Sequence, residues 1–154
     1  MATDEAEIRH ILEQSACVRL GLNDGGRVYI VPMNFGFDYD GGALTLYFHS
    51  AGEGRKIDLL RKTRRAAFEM DCDLSLQTGR IACEYSEFYR SLMGEGTVEF
   101  LEDGAEKRRA LDKIMLHAAG KDGWTYPESM VRRVCIFTVT ATELSCKAHR
   151  RPAE

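Results

Sequence analysis

Within the eight positions from 49 to 56 the chain carries His49, Ser50, Gly52, Gly54, Arg55 and Lys56. These residue types in this order suit the capture of a phosphate. A helix starting here would offer unpaired N–H groups and partial positive charge at its first turn, and small residues ahead of it let an anion approach closely. Arg55 can fork onto phosphate oxygens, Lys56 adds a point charge and Ser50 can donate a hydroxyl hydrogen bond. Each charge-assisted bond is worth about 1.5–3 kcal/mol net, so three or four together can hold a dianionic phosphate against its desolvation cost. A glycine-rich helix start followed by basic residues is also an ordinary turn before a solvated face, and on these residues alone both readings stand. His49, at the end of a strand pattern, adds a group able to give or take a proton near neutral pH.

Other familiar chemistry is missing. No Ser-His-Asp arrangement, paired-carboxylate motif or Walker loop can be argued from spacing. Cys17, Cys72, Cys83, Cys135 and Cys146 are scattered, without a Cys-x-x-Cys or His-x-x-x-His pair of the zinc-binding kind, and read as buried free thiols in a reducing cytoplasm. Tyr85, Phe88 and Tyr89 could stack on a planar ligand or simply pack in a core. Trp124, in a glycine-rich stretch, is placed to cover a pocket.

The elements that must position these residues follow from periodicity. Thr3 or Asp4 can cap a helix over 4–16, with Ile8, Ile11 and Leu12 on one face, covering one opening of a sheet or barrel. From Cys17 the period falls to two. Strand patterns over 17–22 and 27–31 flank Asn23-Asp24-Gly25-Gly26, and a second hairpin turns at Asp40-Gly41-Gly42 and runs to His49. A short helix is expected over 53–62 and strands over 66–72 and within 81–100, where Gly94 and Gly96 mark a bulge or close backbone approach. A helix over 105–117 precedes two last strands near 133–140 and 143–147. Successive hairpins, six or seven strands and few helices predict a mainly β (α+β) fold, an antiparallel barrel with capping helices built on residues 17–148.

At 154 residues the chain fits a single domain, 1–154, able to bury a core without disulfides. Its 21 basic and 24 acidic side chains, net charge -3, offer no global attraction for nucleic acid or an anionic membrane. The acidic N-terminal segment is unlike a signal peptide, no apolar run reaches membrane-spanning length, and a cytoplasmic location is expected. The basic pairs, Arg61-Lys62 and Arg64-Arg65 among them, are interspersed with acidic residues as on solvated or ion-paired faces.

Three blocks together resemble a known superfamily: residues 29–36 (YIVPMNFG), residues 46–60 (LYFHSAGEGRKIDLL), and Cys83-Glu84-Tyr85 followed by residues 89–96 (YRSLMGEG). Over residues 5–148 the chain is similar to the flavin-binding split-barrel superfamily of the pyridoxamine 5'-phosphate oxidases, and most to its nitroimidazole-resistance (Nim) type branch. The resemblance implies a split β-barrel and a homodimer binding FMN at the subunit interface. Val31, Pro32, Met33 and Asn34 would line the isoalloxazine, and His49, Ser50, Arg55 and Lys56 would face the ribityl phosphate or ring edge. Arg90, Ser91 and Met93 would fall near the flavin, in their own subunit's site or across the interface. The implied activity is oxidoreduction, from a nicotinamide donor, NAD(P)H, to a small planar acceptor such as a nitroimidazole, with His49 as the candidate to protonate or orient the acceptor. A non-catalytic flavin- or haem-binding protein, with His49 on the haem, is the alternative, and a ligand-free dimeric scaffold the blandest one. Tyr85 stands where many relatives carry Trp, Gly52 where a larger residue is common and Glu95 where an aromatic is frequent, all bearing on the substrate pocket. The chain also lacks the length and extra basic residues of an enzyme oxidising vitamin B6.

Overall fold

The computed structural model describes residues 4–152. Asp4 caps helix α1 (Glu5–Gln14), its carboxylate accepting from the Ala6 and Glu7 amides at 3.1 and 3.3 Å. Thr3, the other candidate cap, lies outside the described residues. Ile8, Ile11 and Leu12 are fully buried against the barrel, as their helical spacing requires. Strands β1 (Val18–Asp24) and β2 (Arg27–Met33) form the first hairpin, and β3 (Gly36–Asp40) and β4 (Ala43–Ser50) the second. Helix α2 (Arg55–Thr63) leads to β5 (Arg65–Gln77), a single 3-10 turn over Ala82–Glu84, and β6 (Ser86–Leu101). Helices α3 (Gly104–Ala119) and α4 (Glu128–Arg133) precede β7 (Cys135–His149).

All seven strands belong to one antiparallel sheet in the order β2-β1-β5-β6-β7-β4-β3. The two edge strands, β2 and β3, are consecutive in the chain and joined through Asn34 and Phe35. The sheet is therefore a barrel split along one seam, where the chain itself crosses from one edge to the other. Phe35, fully buried at that crossing, lies 4.2 Å from the His117 ring of α3, centroid to centroid. The interior is filled by alternate residues of each strand, with Phe48 stacked on Phe137 at 4.9 Å.

Three boundaries differ from the sequence expectations. The two final strands are one, because a bulge absorbs the break in alternation: Glu95 faces Glu143 and Gly96 faces Ala141, leaving Thr142 as the extra residue with its hydroxyl on the Glu95 carbonyl at 3.2 Å. Arg133, expected at the start of that strand, instead ends α4, a one-and-a-half-turn helix that buries Val131. Strand β5 runs on past Cys72 to Gln77 through an irregularity between Cys72 and Ser75. Gly94 and Gly96 stand where backbone approach is close. A Cβ on Gly96 would sit 2.2 Å from the Thr140 carbonyl oxygen, and one on Gly94 2.5 Å from both the Phe68 ring and the Glu143 carbonyl oxygen. Among the described residues no helix is long and apolar enough to cross a membrane.

Candidate functional site

Strand β4 ends at Ser50, four residues form a loop, and α2 begins at Arg55. Gly54 occupies the N-cap of α2 with φ +123°, a conformation L side chains rarely adopt, and no side chain caps the first turn. Side chains added at Gly52 or Gly54 would meet nothing within 4 Å, so the approach to those amides is open. Here the chain leaves helix N–H groups for something else to satisfy.

Ser50 is the sharpest observation at this corner. It is buried, and its hydroxyl, paired with no protein group, is the single fully buried side-chain polar atom without a partner among the described residues. Such an atom is costly unless a ligand completes it. Opposite it in the β4–β7 ladder is Cys135, also buried. Burial pushes the Cys135 thiol up, against the pull of Arg61, Lys107 and Lys56. His49, one residue earlier and on the other face of β4, is exposed.

Helix α2 lies against the first hairpin, and this brings the separated candidates together. The half-buried Lys56 ammonium is 3.5 Å from the sulfur of Met33, a weak acceptor. Arg55 donates to Asp24 through Nη2 at 2.7 Å and Nε at 3.1 Å, and its guanidinium stacks 4.2 Å from the centre of the Tyr29 ring. It is positioned beside the cradle but already engaged, so recruiting it to a phosphate means breaking an exposed ion pair. Along β2, Met33 is buried, Val31 half-buried and Pro32 exposed, with Asn34 exposed in the crossing. Sequence reasoning missed Asp24 and Tyr29 as partners of Arg55. Tyr29 stands in the first of the three blocks, whereas Asp24 carried only a turn signal.

Arg90, Ser91 and Met93 are elsewhere in the chain. Cys135 faces Ser50 at one end of β7, and Ala148 faces Arg90 at the other, separated by about 40 Å of strand path at ~3.3 Å per residue. Met93 is reached from Pro32 by three ladder steps, through Arg19 and Glu69, on the outer face. Arg90 is committed to Glu7, at 2.6 and 2.7 Å, and to Asp73 at 2.6 Å, and its hydrogen bonds to Glu7 hold its pKa above the ordinary value. Within one chain these three do not join the cradle. Trp124 is held by Asp112 and the Lys121 carbonyl, with the Lys121 ammonium 5.0 Å from its ring centre.

A seven-stranded antiparallel barrel split at the β2/β3 seam, with a glycine-flanked helix start four residues after a buried, unpaired hydroxyl, defines a split-barrel protein. The family model described as pyridoxamine 5'-phosphate oxidase matches residues 4–148, and the chain belongs to that family. Among solved structures, it is similar to a candidate 5-nitroimidazole antibiotic resistance protein from Bacteroides thetaiotaomicron, at 37% identity and a TM-score of 0.81, covering 93% of this chain and 82% of that one. The fold is shared with the FAD and heme binding protein of Mycobacterium smegmatis, at 19% identity, TM-score 0.78, and 99% and 75% coverage. It is shared too with a flavocytochrome of Azotobacter vinelandii, at 20% identity, TM-score 0.77, and 97% and 69% coverage. No curated protein matches the chain.

Proposed function

We propose that the protein is an FMN-binding oxidoreductase, active as a homodimer, that takes electrons from NAD(P)H and passes them to a small planar acceptor such as a nitroimidazole. The observation that carries this reading is the buried, partnerless Ser50 hydroxyl, four residues ahead of the uncapped start of α2, whose first turn carries Lys56. A phosphate ester offers acceptor oxygens to each of these groups: the hydroxyl, the free amides and the ammonium. Bound flavin would supply reversible hydride or electron transfer. The chain's own part is to grip the phosphate through Ser50, Lys56, Arg55 and the α2 amides, to seat the ring along Val31–Asn34, and to present His49 to an acceptor. The 37% identity to the nitroimidazole-resistance candidate favours this acceptor class over vitamin B6.

The dimer reading rests on the outer face of β2, β1, β5 and β6. Val28 is 78%, Ile30 63% and Met93 48% exposed there, apolar side chains set around the Arg19 ion pairs with Glu69 and Asp71 that a lone subunit would leave in water. A second copy covering it would bring Met93 and its neighbours toward a site they cannot reach within their own chain. The test starts with apoprotein. Added FMN should quench in fluorescence at one equivalent per chain, and anaerobic NADH should bleach the flavin absorbance until a nitroimidazole restores it. Ile30→Glu should yield monomers by light scattering and lose FMN. Absence of FMN binding by the wild type, or a monomer that holds FMN as tightly as the wild type, would overturn the reading; a haem spectrum in the isolated protein would favour the haem-binding alternative.

A further inference from the structure

The cysteine spacing shows no metal motif, yet the fold brings three metal-binding groups together far from the phosphate cradle. His10 projects from α1, while Cys72 and Asp73 are adjacent in β5, and the donor atoms of the three lie within 4.8 Å of one another. We propose that His10, Cys72 and Asp73 form a site for one divalent transition-metal ion of the zinc class.

Backbone geometry makes the convergence possible. In a regular strand Cys72 and Asp73 would point to opposite faces. The β5–β6 register instead shifts between Cys72 and Ser75, and Asp73 takes φ +57°, a left-handed conformation uncommon outside glycine. The irregularity aims both side chains toward α1, where Asp73 Oδ2 meets His10 Nε2 at 2.7 Å.

The donor set is a thiolate, an imidazole and a carboxylate, which suits zinc or cobalt(II) better than calcium or magnesium. Zinc bond lengths of about 2.0–2.3 Å put tetrahedral ligands about 3.3–3.6 Å apart, so closure needs ~1 Å of movement. The partly exposed His10 ring can supply it. Cys72 is 7% exposed, and its proton leaves to solvent when the metal binds. The resulting thiolate and the Asp73 carboxylate neutralise the two charges of the ion. Arg90, the nearest cation, is turned onto the Glu7 carboxylate, which it shares with Arg150. The Arg90 Nε on Asp73 Oδ2 at 2.6 Å acts as an outer hydrogen bond that fixes the carboxylate. Three protein ligands leave a fourth position, and Asp73 also lines a cavity of about 360 Å³ with Ser75, Tyr89 and Arg90, which provides an entry path.

The experiment is a cobalt(II) titration of the full chain after chelator treatment and dialysis, and it is independent of flavin binding. The expected result is a thiolate-to-cobalt charge-transfer band in the near ultraviolet that saturates at one cobalt per chain and is bleached by zinc. Cys72→Ser should abolish the band, and His10→Gln and Asp73→Asn should weaken cobalt binding at least tenfold. Cys83→Ser, which removes an exposed thiol, should leave it intact. If Cys72→Ser fails to fold, the His10 and Asp73 variants decide, since both positions are partly solvent-accessible. No band in the wild type, a band that survives in folded Cys72→Ser, or unchanged affinity in both His10→Gln and Asp73→Asn would overturn the site.

Discussion

Replacing Lys56 by methionine removes the ammonium and keeps most of the apolar stem, and the structure sets how much affinity that should cost. The ammonium has a thioether 3.5 Å away as its neighbour, so little is given up when it turns to a phosphate. Nearly the whole net value of a charge-assisted bond, about 1.5–3 kcal/mol, should then appear in binding, which is ~10- to 150-fold in Kd. Arg55 differs because it must first leave Asp24 and the Tyr29 face. Subtracting about 0.2–1 kcal/mol for an exposed pair and about 0.5–1 kcal/mol for the stack leaves about 1 kcal/mol at mid-range, so Arg55→Ala should cost only ~5-fold. Asp24→Asn, which releases the guanidinium, should tighten FMN binding a few-fold. The assay is fluorescence titration of apoprotein with FMN and, in parallel, with riboflavin, which lacks the phosphate. The penalty of Lys56→Met should vanish with riboflavin. A variant that binds FMN as the wild type does, or loses FMN and riboflavin equally, would refute the phosphate cradle.

Three further outcomes follow from the same structure. Ser50→Ala should leave the melting temperature of the apoprotein unchanged or raise it by a few degrees, since a buried hydroxyl without a partner is removed, while weakening FMN about tenfold; a lower apoprotein melting temperature would show that the hydroxyl is satisfied. Gly36→Ala would place a Cβ 2.3 Å from the Lys113 carbonyl carbon in the backbone of α3, so a loss of about 3 kcal/mol, or ~6–12 °C in melting temperature, is expected by calorimetry. For Asp38, burial raises the carboxyl pKa, but hydrogen bonds from Lys113 and Tyr47 and the charge of Arg109 outweigh it and hold the group below its usual range. A depressed native pKa contributes stability above the unfolded value of about 3.9 and loses it as the pH falls through the native one. The gap in melting temperature between the wild type and Asp38→Asn should therefore be full at pH 7 and close below about pH 4; a gap independent of pH would discount that ion cluster.

Much of the barrel was legible because local chemistry and long-range structure agree. Asp24-Gly25-Gly26 and Asp40-Gly41-Gly42 announce their hairpins, and Ile8, Ile11 and Leu12 announce the face of α1. The order of strands in the sheet was not written locally. That β7 lies between β6 and β4 depends on contacts tens of residues apart, and the bulge at Thr142 depends on the close approach of Gly96 across the ladder. At the cradle, the residue types at 50–56 and their helix start could be read directly. The engagement of Arg55 by Asp24 could not, because it depends on how α2 leans on the first hairpin, and neither could the meeting of His10 with Cys72 and Asp73 across α1 and β5.

The place of β7 also orders how the molecule can be made. Among the described residues the β3–β4 hairpin has no hydrogen-bonded strand neighbour other than β7, so until residues beyond 135 leave the ribosome, the β2-β1-β5-β6 half and that hairpin are two sheets with no ladder between them. A nascent chain halted at 134 would display two raw edges, on β6 and β4, and would depend on chaperones to stay unaggregated.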